Sequence, residues 1–250
     1  MKRPLPAVAP FACLLAMVVV PPVVAGGESA LDWANRLRAA GGAPRVQGDE
    51  LLSSTARDWA RTLAAAGAIS HRGADGEDAL DRYRAHGGTE VRIGEIIGAG
   101  PGLAAIEKAW EASPSHRELA LRKYWTHAGM GESQDDRGGD VCVMLFCVVL
   151  VEGLEISIEK TELVVKGRFD VQEASDALLM AGIEAHRPEA WDRVSRSFAF
   201  RLAAAGLPSY VRLGFATAKG AFTLTNALTL PTEREFPGGR ARFSVPGARH

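Results

Sequence analysis

Apolar residues recur at three- and four-residue steps through the first half of the chain and at every second residue through much of the last hundred. Residues 29–40 place Leu31, Ala34 and Leu37 on one helical stripe, and Gly41-Gly42 stops it. Leu51, Leu52, Thr55, Trp59, Thr62 and Leu63 predict a longer helix from about Gly48-Asp49 to Ala66, ended by Gly67. A turn at Asp75-Gly76 leads to a short helix beginning at Ala79 and closed by Gly87-Gly88. The glycine-rich stretch 98–102 reads as a connecting loop, since it lacks the Lys-Ser/Thr of a phosphate loop. Leu103 to Ala112 follows as a helix with Leu103, Ile106 and Trp110 on one face and Glu107, Lys108 and Glu111 on its solvated side. Ser113 is suited to cap the next helix and Pro114 to begin it, which puts His116 in the first turn.

From Gly129 the pattern becomes that of strands. Residues 129–133 and 141–151 flank a polar turn, and the eleven residues from Val141 to Val151 carry no charge. Such a strand is apolar on both faces, so helices must cover its sheet on both sides. After Glu152-Gly153 the period is two: Leu154, Ile156 and Ile158; Phe198, Phe200 and Leu202; Val211, Leu213 and Phe215; Phe222 and Leu224. Short alternating segments parted by Gly, Pro and charged turns predict a β-sandwich. Residues 171–185 fit a helix or a strand, and the surrounding β pattern favours strand. The expected organisation is a first unit over 29–152 and a second over 153–250, with a loosely held tail after Pro231.

The first 25 residues change the picture by adding a destination. Lys2 and Arg3 precede an apolar run from Ala7 to Val20, and Val23-Val24-Ala25 offers small residues for cleavage, as in a signal peptide. Pro10 and Pro21 leave that run short of the roughly 20 residues a membrane span needs. The mature protein is therefore expected to be secreted or periplasmic, with no membrane span. In 250 residues, 47% apolar and 24% charged, the net charge is −1, which offers no basic field for nucleic acid. Cleavage would leave two cysteines, Cys142 and Cys147. Five strand residues span roughly 17 Å, and a disulfide tolerates Cα separations up to only about 7 Å. Their odd spacing also sends them to opposite faces, so both are read as buried thiols.

Imidazole and carboxylate concentrate between Ser70 and His116, at helix ends and in the loops between helices. Helix-end dipoles favour neutral His116 there. The ordered fragments Asn35-Arg36, Ser70-His71, Asp75-Gly76, Asp81-Arg82, Gly94-Glu95, Trp110 with Ser113-Pro114-Ser115-His116-Arg117, and Gly129-Met130-Gly131 resemble the CAP superfamily. This is the cysteine-rich secretory protein, antigen 5 and pathogenesis-related 1 group, and the likeness is to its bacterial SCP-like branch over residues 30–151. The resemblance implies an α-β-α sandwich for the first unit, and with the all-β unit read from the alternating pattern the expected fold class is α+β. It also implies a cleft lined by His71, His116 and Glu95, with Ser113 where a second acid is usual and Ile96 where Asn is usual.

Two classes of function follow from that cleft. One is an extracellular binding module for a cell-envelope glycan, lipid or protein. The other is a hydrolase, either metal-dependent or directed at the cell wall. His71, His116 and Glu95 would supply an N/N/O set for a divalent ion such as zinc. Glycan cleavage needs two carboxylates in most enzymes, and only Glu95 is in place.

Overall fold

The computed structural model describes residues 26–230 and 241–243, so the stretch expected to be a signal peptide and most of the C-terminal tail lie outside the described residues. Helix α1 (Gly26–Ala40) begins a few residues before the expected start. Helix α2 (Glu50–Ala66) is bounded as its sequence dictates. Asp49 Oδ1 accepts from the Leu52 N–H at 2.8 Å, and Gly67 ends it in the left-handed conformation, at a φ of 61°. Helix α3 (Ala79–Ala85) opens on a reciprocal capping box between Asp78 and Asp81. Helices α4 (Leu103–Ala112) and α5 (Pro114–Leu121) follow as expected, although the Ser113 hydroxyl meets Ser115 Oγ at 3.2 Å and makes no capping bond.

Four strands form the first sheet, in the order β1 (Gln47–Gly48), β3 (His127–Gln134), β4 (Asp140–Cys147), β2 (Ile93–Gly100). Strand β4 is buried along almost its whole length and separates two cores. Cys142, Met144 and Phe146 face Trp33 and Leu37 of α1, Ile106 and Trp110 of α4 and Ala120 of α5. Val141, Val143, Leu145 and Cys147 face Leu52, Ala56, Trp59 and Leu63 of α2 and Tyr83 of α3. This is the α-β-α sandwich expected of a strand that is apolar on both faces. Cys142 and Cys147 lie in different cores, and no disulfide joins them.

Two expectations are corrected here. The run Val141–Val151 is not one strand: β4 stops at Cys147, and β5 starts at Val151. Thr126 Oγ1 accepts from the Val149 N–H at 2.7 Å, which satisfies the backbone in the intervening turn. The first three residues of the expected loop 98–102 belong instead to strand β2 (Ile93–Gly100), whose glycines admit large neighbours. A Cβ on Gly98 would come within 2.4 Å of Ile106 and 2.9 Å of Trp110, and one on Gly94 within 2.6 Å of Trp125. The Gly129-Met130-Gly131 fragment has the same cause. A Cβ at Gly131 would lie 2.0 Å from the Arg57 backbone nitrogen, so glycine lets α2 rest directly on β3.

The second unit consists of two facing antiparallel sheets. One contains β5 (Val151–Glu159), β6 (Glu162–Phe169), β9 (Ala190–Asp192), β10 (Ser197–Ala203) and β13 (Ala241–Phe243), in the order β13-β5-β6-β10-β9. The other contains β7 (Asp176–Ala181), β8 (Glu184–His186), β11 (Tyr210–Ala216) and β12 (Phe222–Thr229), in the order β12-β11-β7-β8. Leu163, Val165, Phe169, Phe198 and Phe200 from the first sheet share a core with Leu179, Val211, Leu213 and Phe215 from the second. Phe169 anchors it, with ring centroids 4.8 Å from Phe198 and 5.5 Å from Phe215. The ambiguous stretch 171–185 carries strand β7. The units touch where the loop between α3 and β2 meets β12. The Ala227 N–H donates to the Thr89 carbonyl at 2.8 Å, and Asn226 Nδ2 donates to Thr89 Oγ1 at 2.9 Å.

Candidate functional site

Glu95 stands on β2 opposite Leu145 of β4, so its side chain shares the sheet face that α2 and α3 cover. It is thus on a strand, not at a helix end. Strand β2 is the edge of its sheet, which lets groups from both helical layers meet beside it. The Glu95 side chain is 5% exposed, and both carboxylate oxygens are occupied. Oε1 is 2.7 Å from His71 Nδ1, and Oε2 accepts from Arg82 Nη2 at 2.7 Å. Glu95 accepts from Arg82 and offers an acceptor oxygen to the ring as well, so His71 Nδ1–H is the donor in this contact. The His71 side chain is 59% exposed.

Local folding holds these groups in place. The chain leaving α2 turns at 73–77, where the Gly76 N–H donates to the Gly73 carbonyl at 3.0 Å and Arg72 Nη1 to the Gly76 carbonyl at 2.8 Å. The capping box fixes the start of α3 through Asp81, and the next residue, Arg82, is aimed at Glu95. Its guanidinium lies 3.8 Å from the centroid of the Trp59 ring and also donates to the Glu77 carbonyl at 3.2 Å. The Asp81-Arg82 fragment was legible only as part of a resemblance. The role of Arg82 as the second partner of Glu95, and of Trp59 as its platform, went unread because both depend on contacts between helices.

His116 sits in the first turn of α5, on the other helical layer, and is partly buried. Burial, followed by repulsion from the imidazolium form of His71, holds its pKa below the ordinary histidine value. The direction agrees with the helix-end argument, but the causes are desolvation and a neighbouring imidazole. Ser113 stands three residues earlier at the α4–α5 junction, hydrogen-bonded to Ser115. Glu111 is not merely solvated: its Oε1 accepts from Trp33 Nε1 at 2.9 Å.

Among the described residues, no group of three or more His, Cys, Asp or Glu side chains is placed to hold a metal ion. Of the expected set, His71 and Glu95 are in contact, and the Arg82 guanidinium on Glu95 Oε2 places a positive charge beside the carboxylate. The remaining histidines are elsewhere. His86 lies 3.6 Å from Asp58, and His127 is buried at the start of β3 with Nδ1 2.9 Å from Thr126 Oγ1. His186 belongs to β8, and His250 lies outside the described residues.

An α-β-α sandwich with a histidine–carboxylate pair at its sheet edge defines a class of domain. Residues 31–150 match the family model described as CAP, the cysteine-rich secretory protein family, and form a CAP domain. The match stops where the β-sandwich begins. No curated protein matches the chain. Among solved structures it is similar to an outer surface protein from Borrelia burgdorferi, at 22% identity and a TM-score of 0.45, over 48% of this chain and 90% of that one. An extracellular protein containing an SCP domain from Bacillus anthracis is similar at 22% identity and a TM-score of 0.43, over 49% of this chain and 40% of that one. The venom allergen-like protein 4 of Schistosoma mansoni is similar at 12% identity and a TM-score of 0.39, over 50% and 90%. Among the described residues no helix is long and apolar enough to cross a membrane.

Proposed function

We propose that the protein is an extracellular binding module, exported by its N-terminal signal, whose CAP domain presents His71 to a cell-envelope ligand. The observation that carries this reading is the double engagement of Glu95. A carboxylate that is nearly buried and bonded at both oxygens is a poor nucleophile and a poor metal ligand, but it is a firm support for an exposed imidazole. The position of the second acid is Ser113, so the paired carboxylates of most glycosidases are missing from the cleft.

One observation favours a second reading. A carboxylate that fixes the tautomer of a histidine is also how hydrolases orient a general base. In that case His71 Nε2 would take a proton from water or a hydroxyl, with His116 nearby as a largely neutral partner.

The two readings separate in one experiment. Purified full chain is incubated with isolated peptidoglycan sacculi, and both co-sedimentation and release of soluble fragments are followed. Binding that saturates without release, and that falls in His71→Ala, supports the module. Release that disappears in His71→Ala and Glu95→Gln makes the protein a hydrolase.

A further inference from the structure

A second concavity, of about 560 Å³, opens where the CAP domain meets the β-sandwich, and it shares no lining residue with the His71 site. Its volume falls in the range of roughly 300–1,000 Å³ typical of small-ligand sites, which favour junctions between domains. Its floor is buried and comes from both units: Thr89, Trp125 and Val149 from the CAP domain, and Val151, Leu154 and Asn226 from the sandwich. Glu90, partly buried, stands beside them.

Two acceptors from different units meet on that floor. Glu90 and Asn226 lie directly opposite each other across an isolated antiparallel bridge, where the loop before β2 meets β12. Residues paired in this way hold their Cβ atoms about 4.5–5.5 Å apart on the same side. Glu90 Oε2 accepts from the Tyr83 hydroxyl and from the Thr89 N–H, and among the described residues Glu90 has no ion pair. Burial, followed by the Glu90 charge, pushes the Tyr83 pKa far up, so Tyr83 stays a neutral donor. Asn226 is 2% exposed; its Nδ2 donates to Thr89 Oγ1 at 2.9 Å, and its Oδ1 makes no hydrogen bond.

Charge at the mouth and charge at the floor are not equivalent. At the rim stand Arg45, Lys123, Glu152 and Asp170, all exposed, and Arg168 lies beside both of those carboxylates. These charges are of both signs, and water and salt screen them. Glu90 is the charge at the floor, where the lower dielectric makes a partner that reaches it count roughly four times as much as in bulk water. A carboxylate without a counter-charge and a buried amide oxygen without a donor are both costs to the fold. An ammonium relieves the two together, because it brings a positive charge and three N–H donors. A hydroxyl brings one donor and no charge, and a quaternary ammonium brings charge and no donor. Val149, Val151 and Leu154 add an apolar wall for the hydrocarbon body of such a ligand.

We infer that this inter-domain cavity binds a small primary amine, its ammonium held between the Glu90 carboxylate and Asn226 Oδ1 and its hydrocarbon body against Val149, Val151 and Leu154. Glu90 belongs to the CAP domain and Asn226 to the sandwich, so the ligand bridges the two units. The site is independent of the His71 cleft and of the reading given to it.

Isothermal titration of the full chain at pH 7.5 with 2-phenylethylamine, present there as its ammonium, tests the inference. The expected result is saturable one-to-one binding. 2-Phenylethanol, which lacks the charge, and trimethyl(2-phenylethyl)ammonium, which lacks the N–H donors, should each bind at least tenfold more weakly. 3-Phenylpropanoate, which has the opposite charge, should not compete. Glu90→Gln keeps an acceptor for the Tyr83 hydroxyl but removes the charge, and should weaken amine binding at least tenfold, whereas His71→Ala should leave it unaltered. The ligand series on the parent chain decides the matter even where Glu90→Gln does not fold. Absence of saturable binding overturns the inference, as does equal binding of the alcohol, the quaternary ammonium or the acid. A folded Glu90→Gln protein with unaltered binding overturns it too, and loss of binding in His71→Ala would overturn it by moving the ligand to the other cleft.

Discussion

Arg82 and Glu95 form an ion pair at 2.7 Å in which the two side chains are only 10% and 5% exposed, and this pair is the support on which the His71 ring rests. Removing one member of a buried pair leaves the other charge uncompensated, at a cost of about 3–5 kcal/mol. Arg82→Leu is therefore expected to lower stability by that order in urea denaturation. Adding Glu95→Gln should recover part of the loss, because the orphaned charge is then gone. Strict additivity of the two substitutions would show that they do not act as a pair.

His116 gives the molecule a pH dependence whose sign is fixed. Its folded-state pKa lies below the ordinary value of 6.5, first through burial and then through His71. The unfolded chain thus binds the proton more readily, so the contribution to stability is complete above pH 6.5 and is lost as pH falls through the folded value. His116→Gln should flatten that part of the stability profile. In His71→Ala the repulsion is removed, and an NMR titration of His116 should move upward. No movement would mean that the two rings do not share a site.

The thiols make a third test. Burial, helped by the Glu132 and Asp140 carboxylates, pushes the Cys142 thiol up to about 12. Neither Cys142 nor Cys147 should react with iodoacetamide in the folded protein at pH 8. Both should react fully after unfolding without reductant. Peptide mapping that finds either residue in a disulfide would contradict the two-core arrangement.

Much of this architecture was legible in the sequence because it depends on local periodicity. The uncharged run that became β4 required helices on both faces, and the alternating phenylalanines and valines of β10 and β11 required a sandwich. Strand β2 was hidden because Gly94, Gly98 and Gly100 imitate a loop, while their purpose is to admit Trp125, Ile106 and Trp110. His71, Glu95 and His116 could be singled out by residue type and order. Arg82 could not, because its meeting with Glu95 depends on where α3 lands on the sheet. That one contact alters the chemistry expected of the carboxylate.

The division of the chain near residue 150 leads to a fourth expectation. The sandwich core takes in Val151 and, at its margin, Leu150, whereas both CAP-domain cores are built from residues up to Val149. A fragment of residues 26–150 should unfold cooperatively in thermal denaturation. It should be less stable than the parent, since Thr89 loses its partners Asn226 and Ala227. A fragment with no cooperative transition would show that the two units fold as one.

Glu95 bonds Arg82 through one oxygen and His71 through the other, and the outcome expected from those bonds is that it takes up no catalytic metal. Thermal melting at pH 7.5 with and without zinc tests it most directly, using the parent chain, His71→Ala and His116→Ala. A specific site at a hundredfold excess over its dissociation constant would add about 2.7 kcal/mol, or roughly 5–10 °C for a chain of this size. The expected result is that zinc shifts all three proteins equally. A shift of that size in the parent, lost in both histidine variants, would contradict it.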